Sequence, residues 1–370
     1  MKVLMFNHAF FHISETFIYK QVTEMPPDVN IELLGFDFPH GHIFPLTNKK
    51  YRIKKSENAI DRALNVFRKR VLNIRYNLSL FTTISVKKIL QESKPDVVHA
   101  QFGFNALQIF PLVKQLNIPL VVTFHGLDAS PHYLNRKDYK TRIEKVLEYA
   151  SGIIIVSPHM NDTLGLARYA AKTHLIPCGV DPSEFYPRET FANRNTINIL
   201  HSGRLVSKKG VPDLVKVFSD LSTRMPDIRL NVIGDGPELG AIQQLAQDTR
   251  AVKFYGSQPH EEVKKFMLDA DIFVLNSRVG DSGDMEGLPV SLLEAMSMGK
   301  AVVSTRHAGI PEAVTDGVNG LLVNEKDNES LSAAIEKLIV NAALRKQLGE
   351  AARQTVLNKF TIKQANKKID

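Results

Sequence analysis

The 370-residue chain has one cysteine, Cys178, and no tryptophan. A single thiol excludes an internal disulfide and any cysteine-based zinc site, and it agrees with a reducing compartment. Apolar runs such as Val121-Val122 and Ile153-Ile154-Ile155-Val156 are short, far below the ~18 residues of a membrane-spanning helix. The amino terminus begins Met1-Lys2-Val3-Leu4-Met5-Phe6 and turns polar at Asn7-His8, so it has neither the continuous apolar core nor the small-residue cleavage site of a secretory signal. The cytosol is the expected location. No collagen-like or heptad period, low-complexity tract or repeat of about 20 to 50 residues occurs, which excludes fibrous, disordered and solenoid classes. What is present, 44% hydrophobic and 23% charged residues, suits a globular chain of two ordinary domains.

The formal net charge is +8, but it is local. Residues 49–88 hold twelve Lys or Arg and two acids, a surplus of ten, so the remaining 330 residues carry a net −2. Within that segment Ile60, Leu64, Phe67, Val71, Ile74, Leu78 and Phe81 alternate at intervals of four and three. This predicts one continuous helical face, with Arg68, Lys69, Arg70 and Arg75 around the remainder. Two readings stay open: the apolar stripe packs on its own domain, or residues 49–88 touch an anionic membrane or an anionic acceptor. Nucleic acid is not expected as a partner, because no zinc finger, RNA-recognition motif or paired basic-aromatic platform is present.

Short β-rich runs alternate with helical patterns along the whole chain, predicting parallel sheets with crossover helices. Strands are expected near 2–7, 30–35, 96–101, 119–124, 152–156 and 174–176, then near 197–202, 229–233, 252–255, 272–276, 301–304 and 320–323. The Pro- and Gly-containing stretch from Pro177 to Asn195 reads as a linker. The fold class is therefore α/β with two doubly wound, Rossmann-like domains, and the expected ligand site is a cleft at the carboxyl ends of the strands.

Three segments at strand ends carry chemistry. In Glu286-Gly287-Leu288-Pro289, followed by Glu294, Pro289 suits a first helical turn. Glu286 then sits in the loop feeding the helix and Glu294 on its second turn, where a carboxylate could hold neighbouring hydroxyls such as those of a ribose. Taken singly, each glutamate reads as a helix charge or an ion-pair partner; the whole string after a strand favours a site. Gly203-Arg204-Leu205-Val206-Ser207-Lys208-Lys209-Gly210 places cations at another strand end, and Arg204 with Lys209 suits a pyrophosphate, although a solvated basic turn has the same composition. Gly234-Asp235-Gly236-Pro237 reads first as a turn. His125-Gly126-Leu127-Asp128 lies at the cleft edge of the first domain, where the glycine permits close approach and the histidine is either structural or functional. In the loop after the first strand, Ser14 is a candidate helix N-cap with Glu15 in the first turn.

Together with Ile176-Pro177-Cys178-Gly179-Val180-Asp181, these motifs resemble the retaining family-4 glycosyltransferases of the GT-B fold. Ser14-Glu15-Thr16-Phe17 and the 283–289 loop are similar to bacterial exopolysaccharide members of the colanic-acid type. The resemblance implies an N-terminal acceptor-binding domain over 1–180 and a nucleotide-sugar-binding domain over 196–355. It further implies a C-terminal helix over 356–370, which in that family returns to the first domain. It implies that Arg204 and Lys209 bind the donor diphosphate, that Glu286, Gly287 and Leu288 bind the donor sugar, and that Glu294 binds the ribose. Tyr255, Gly256 and Ser257 would hold the base, His125 and Glu286 would be catalytic, and Ser14, Glu15 and Asp128 would face the acceptor. The implied donor is a UDP- or GDP-sugar, the acceptor a saccharide or lipid-linked saccharide, with no cofactor and no metal. One departure stands out: the loop after the first strand reads Asn7-His8-Ala9-Phe10 and lacks the glycines that in many members touch the diphosphate. Two rivals remain. A nicotinamide-dependent sugar-nucleotide oxidoreductase would need a dinucleotide fingerprint, and a non-catalytic sugar- or membrane-binding scaffold would need no reactive site.

Overall fold

A computed structural model describes residues 1–11, 16–41, 43–71, 76–187 and 196–367. Two compact units divide the chain between Ile176 and Pro177. The first unit carries β1 (Lys2–Phe6), β2 (Asn30–Gly35), β3 (Lys50–Arg52), β4 (Val97–Gln101), β5 (Leu120–Phe124), β6 (Gly152–Ile155) and β7 (Thr173–Leu175), all parallel, in the order β3-β2-β1-β4-β5-β6-β7. Parallel strands covered by helices on both faces need apolar residues on both sides, and Gly152-Ile153-Ile154-Ile155 is buried throughout.

The second unit carries β8 (Ile197–Ser202), β9 (Ile228–Ile233), β10 (Val252–Phe254), β11 (Ile272–Leu275), β12 (Ala301–Thr305) and β13 (Leu321–Val323). They form a parallel sheet in the order β10-β9-β8-β11-β12-β13. One face of this sheet packs on Val211, Leu214, Val215 and Phe218 of the helix Val211–Arg224. The other packs on Leu292, Leu293, Ala295 and Met296 of the helix Val290–Ser297. In both sheets the strand order reverses beside the first strand, between β1 and β4 and between β8 and β11. In open α/β sheets such reversals open a crevice at the carboxyl ends.

The structure departs from the sequence expectations in four places. Lys50–Arg52 is an edge strand with two exposed basic residues, so it lacks the apolar signature of its neighbours. The 60–81 stripe does not lie on one helix, and its Ile74, with the neighbouring Arg75, lies outside the described residues. The helix Ala59–Arg70 ends and Leu80–Ser93 begins anew, with Asp61 accepting the Leu80 N–H at 3.0 Å and the Ser79 hydroxyl at 2.6 Å. The unit boundary lies at 176 rather than 180, because Val180 and Phe185 are already core residues of the second unit. The expected helix over 356–370 is instead the end of the helix Ala342–Lys359 followed by a short helix, Ile362–Asn366, with Val356 and Phe360 in the core of the second unit; the last three residues lie outside those described.

A seam closes the second unit. The Val180 N–H donates to the Phe360 carbonyl at 2.9 Å, and the Ile362 N–H donates to the Val180 carbonyl at 3.1 Å. Gly179 is required beside it, because a Cβ there would lie 2.5 Å from the Ile362 nitrogen.

Candidate active site

At the carboxyl edge of the second sheet, β8 runs into Gly203-Arg204-Leu205, and the turn after β9 lies directly on that backbone. Gly234 has φ +138°, and a Cβ there would come within 1.8 Å of the Gly203 carbonyl oxygen. The Gly234–Pro237 segment is thus a packing turn, as its sequence suggests. Lys208 and Lys209 follow in a single 3-10 turn and diverge. Lys208 is buried and reaches the Asp284 carboxylate at 3.0 Å and the Met285 carbonyl at 3.2 Å. Lys209 pairs with Glu286 at 2.8 Å. Arg204 is exposed, and its guanidinium makes no ion pair or hydrogen bond with the described residues.

Glu286 is 8% exposed. Burial alone would raise its pKa, but Lys209 and Lys208 overcome that and hold the carboxylate down at about 2. Glu294 is equally buried with no such cation. Burial, then repulsion from Glu184, pushes it up to about 8 against a weaker pull from Lys264. The Glu286 N–H donates to His307 Nε2 at 3.2 Å, the Gly287 carbonyl accepts from the Gly309 N–H at 3.0 Å, and His307 Nδ1 lies 2.6 Å from Glu325. The Leu288 side chain belongs to the core cluster, which leaves its backbone as the part that could reach a sugar. Pro289 caps the helix from outside, with Val290 the first helical residue.

Tyr255, Gly256 and Ser257 follow β10 at the same edge. The Tyr255 hydroxyl donates to Asn231 at 3.2 Å and its ring packs on Phe266, while Ser257 is exposed. The Asp269-Ala270-Asp271 triplet sits at the opposite edge, before β11. The Asp269 carboxylate accepts from the Asn198 side chain and Asp271 from the Asn198 backbone, each at 2.8 Å.

In the first unit, His125 follows β5, between the rings of Phe17 and Phe102. Its Nε2 lies 2.8 Å from Gln101 Oε1, while the Gln101 amide group donates to Gln21. That arrangement assigns the ring proton to Nε2 and leaves Nδ1 as a buried lone pair with no partner among the described residues. Burial lowers the His125 pKa to about 3, so the ring is neutral. Asp128 is corrected. It is wholly buried, and its oxygens accept the N–H groups of Gly103, His125 and Gly126 at 2.7, 2.9 and 3.2 Å. It pins the His125 loop and has no free edge for an acceptor. Ser14 and Glu15 lie outside the described residues.

Two family matches tile the chain: Glycosyltransferase Family 4 over residues 48–184 and Glycosyl transferases group 1 over 182–355. The chain is a family-4 glycosyltransferase. It is 31% identical over 273 residues to the amylovoran biosynthesis glycosyltransferase AmsK of Erwinia amylovora, covering 72% of this chain and 66% of that one. It is 28% identical over 372 residues to the putative colanic acid biosynthesis glycosyltransferase WcaL of Salmonella typhimurium, covering 90% of each. Its fold matches Anabaena Alr3699/HepE, solved in complex with UDP, with a TM-score of 0.81 at 18% identity over 100% and 98% of the two chains. The sucrose-phosphate synthase of Thermosynechococcus elongatus matches with a TM-score of 0.76 at 17% identity over 100% and 97%. Around the glutamates of this glycosyltransferase, the structure adds Lys208, His307 and Glu325, which no motif spacing singles out.

Proposed function

We propose that this glycosyltransferase moves a sugar from a UDP- or GDP-linked donor to a saccharide or lipid-linked saccharide acceptor in surface polysaccharide biosynthesis, with retention of anomeric configuration. The observation that carries this reading is the buried Lys209–Glu286 ion pair at the carboxyl edge of β8 and β11, with Arg204 in the loop after β8 and Glu294 on the helix that follows β11. A donor diphosphate would compete for Lys209, leaving the Glu286 carboxylate to accept hydrogen bonds from the sugar hydroxyls. Arg204 adds a bidentate cation for the phosphates. Charge grows on the departing diphosphate, so fixed cations there stabilise the transition state more than the ground state. The acceptor oxygen bonds to the anomeric carbon as the carbon–phosphate oxygen bond breaks, and the departing phosphate takes the acceptor proton. Neutral His125, with its free Nδ1, belongs to the acceptor side in this reading. The names of AmsK and WcaL and the UDP bound by HepE support it.

The test pairs a thermal-shift panel of UDP, GDP and their sugars with two variants. Glu294→Ala should weaken nucleoside diphosphate and intact donor alike. Glu286→Ala should lower turnover about ten- to several-hundredfold, the loss of one charge-assisted hydrogen bond, while nucleoside diphosphate still binds. Parental behaviour of both variants, or no donor binding at all, would move the site elsewhere and favour the scaffold reading.

We also propose peripheral contact with anionic membrane through residues 49–88. Ile60, Leu64, Phe67 and Val71 are 69%, 45%, 50% and 64% exposed, so this stripe is not covered by its own domain. Exposed apolar residues beside Arg62 and Arg70 match the apolar interior and anionic surface of a lipid leaflet.

A further inference from the structure

The loop between β11 and the helix Val290–Ser297 is gripped along its backbone. Lys208 holds the Met285 carbonyl, Gly309 holds the Gly287 carbonyl, and between them the Glu286 N–H donates to His307 Nε2 at 3.2 Å. A backbone amide can only donate, so Nε2 must offer its lone pair and the ring proton must sit on Nδ1. That proton meets Glu325 Oε1 at 2.6 Å, and the other Glu325 oxygen accepts the Val279 N–H at 2.9 Å. The imidazole is 1% exposed, so water does not compete. Glu325 thereby selects the tautomer that the Glu286 amide needs.

We infer that His307 and Glu325 are positioning residues for glycosyl transfer: the Glu325-locked Nδ1–H tautomer of His307 sets the peptide from which the Glu286 carboxylate is aimed. The inference rests on the reading of Glu286 as the sugar-contacting group. With the proton on Nε2, two N–H groups would face each other and the 285–286 peptide would turn away. Displacing a reacting group's partner by about 1 Å costs on the order of a hundredfold in rate. The pair therefore acts on turnover through Glu286 and leaves the nucleotide portion of the donor alone.

The substitutions separate the two hydrogen bonds. The Asn amide in His307→Asn occupies the Nδ1 position and can satisfy Glu325 but offers nothing to the Glu286 N–H. The longer His307→Gln can place its carbonyl oxygen where Nε2 was. His307→Asn should lower kcat about ten- to a hundredfold with nucleoside-diphosphate affinity unchanged, and His307→Gln should recover most of the loss. In a Glu286→Gln background, His307→Asn should add little further loss, because residues acting through one another are not additive. Selective ¹⁵N-histidine labelling, with the His307 signals assigned by their loss in His307→Asn, should show that ring held as Nδ1–H in the parent, as His201 also is against the Val274 carbonyl, and released to the other tautomer in Glu325→Ala. Equal kcat for the Asn and Gln variants, additive losses in the double mutant, or an unchanged tautomer in Glu325→Ala would overturn the inference. Parental turnover in Glu286→Gln itself would instead remove the reading of Glu286, which keeps the two failures distinct.

Discussion

Glu286 and Glu294 lie eight residues apart, and their surroundings drive them in opposite directions. Two lysines keep the first ionised, while burial with Glu184 nearby keeps the second protonated up to about pH 8. A neutral carboxyl both donates and accepts, which suits a vicinal diol. Its raised folded-state pKa has a signed consequence. Relative to an unfolded value of 4.5, the folded state holds the extra proton, so the stabilisation is complete below the unfolded value and is lost as pH rises through about 8. The parent Tm should therefore fall between about pH 5 and about pH 9 more steeply than that of Glu294→Gln, and the variant should be the more stable at the alkaline end. Scanning calorimetry of both proteins across that range is the check; parallel curves would mean that Glu294 ionises normally. At this scale the sequence string located both glutamates but could not supply their charge states. Lys209 lies 77 positions from Glu286, and only the turn after β8 brings it to 2.8 Å. His307 was illegible for a related reason: a lone histidine after a strand has no spacing to mark it.

Among the elements, the helix Ala59–Arg70 departs from what a surface helix ordinarily does. Of its apolar residues Ile60, Leu64, Val66 and Phe67 are all exposed, and Leu80, Phe81 and Ile84 of the following helix are also about half exposed. Replacing Arg62, Arg68 and Arg70 by Gln should weaken sedimentation with anionic liposomes and leave neutral ones unaffected, each engaged cation being worth about 1 kcal/mol. Replacing Ile60, Leu64 and Phe67 by Ser should weaken binding to anionic liposomes even at low salt. Parental binding by both variants would remove the membrane proposal. The 4-3 spacing identified the stripe correctly up to Val71, yet Leu78, which keeps that spacing in the sequence, is buried beyond the end of the first helix. Asp61 decides the break, since one carboxylate receives both the hydroxyl and the amide that open the next helix. Strands buried on both faces were legible as apolar runs, whereas Lys50–Arg52 is strand only because β2 offers it an edge.

Across the whole molecule, the polarity of the parallel sheet sorts the acidic groups by position. Glu286 and Glu294 follow β11 at its carboxyl edge, and Asp269 and Asp271 precede it at the amino edge, tied to Asn198. An Asp-x-Asp pair so placed could not reach a diphosphate bound at Lys209, the site proposed above. Transfer should accordingly persist after EDTA treatment, and manganese should not raise it; abolition by EDTA with rescue by manganese would contradict this. The parallel α/β class of both sheets was readable because strand runs alternate with helical patterns, although β2 passes to β3 without a helix. The division at 176 was not, since Val180 and Phe185 look like linker residues until the sequence-distant Phe360 and Ile362 are placed beside them.

The Val180 seam also bears on how the protein is made. Residues 179–185 emerge from the ribosome about 180 residues before their partners at 360–362. At about 5 to 20 residues per second, that leaves roughly ten to forty seconds in which Val180 and Phe185 have no native neighbours on the closing segment. The second unit cannot complete its core until residues 360–362 have been made. A nascent chain of this protein thus carries an exposed apolar margin while those intervening residues are made, a window in which a holdase chaperone has something to hold.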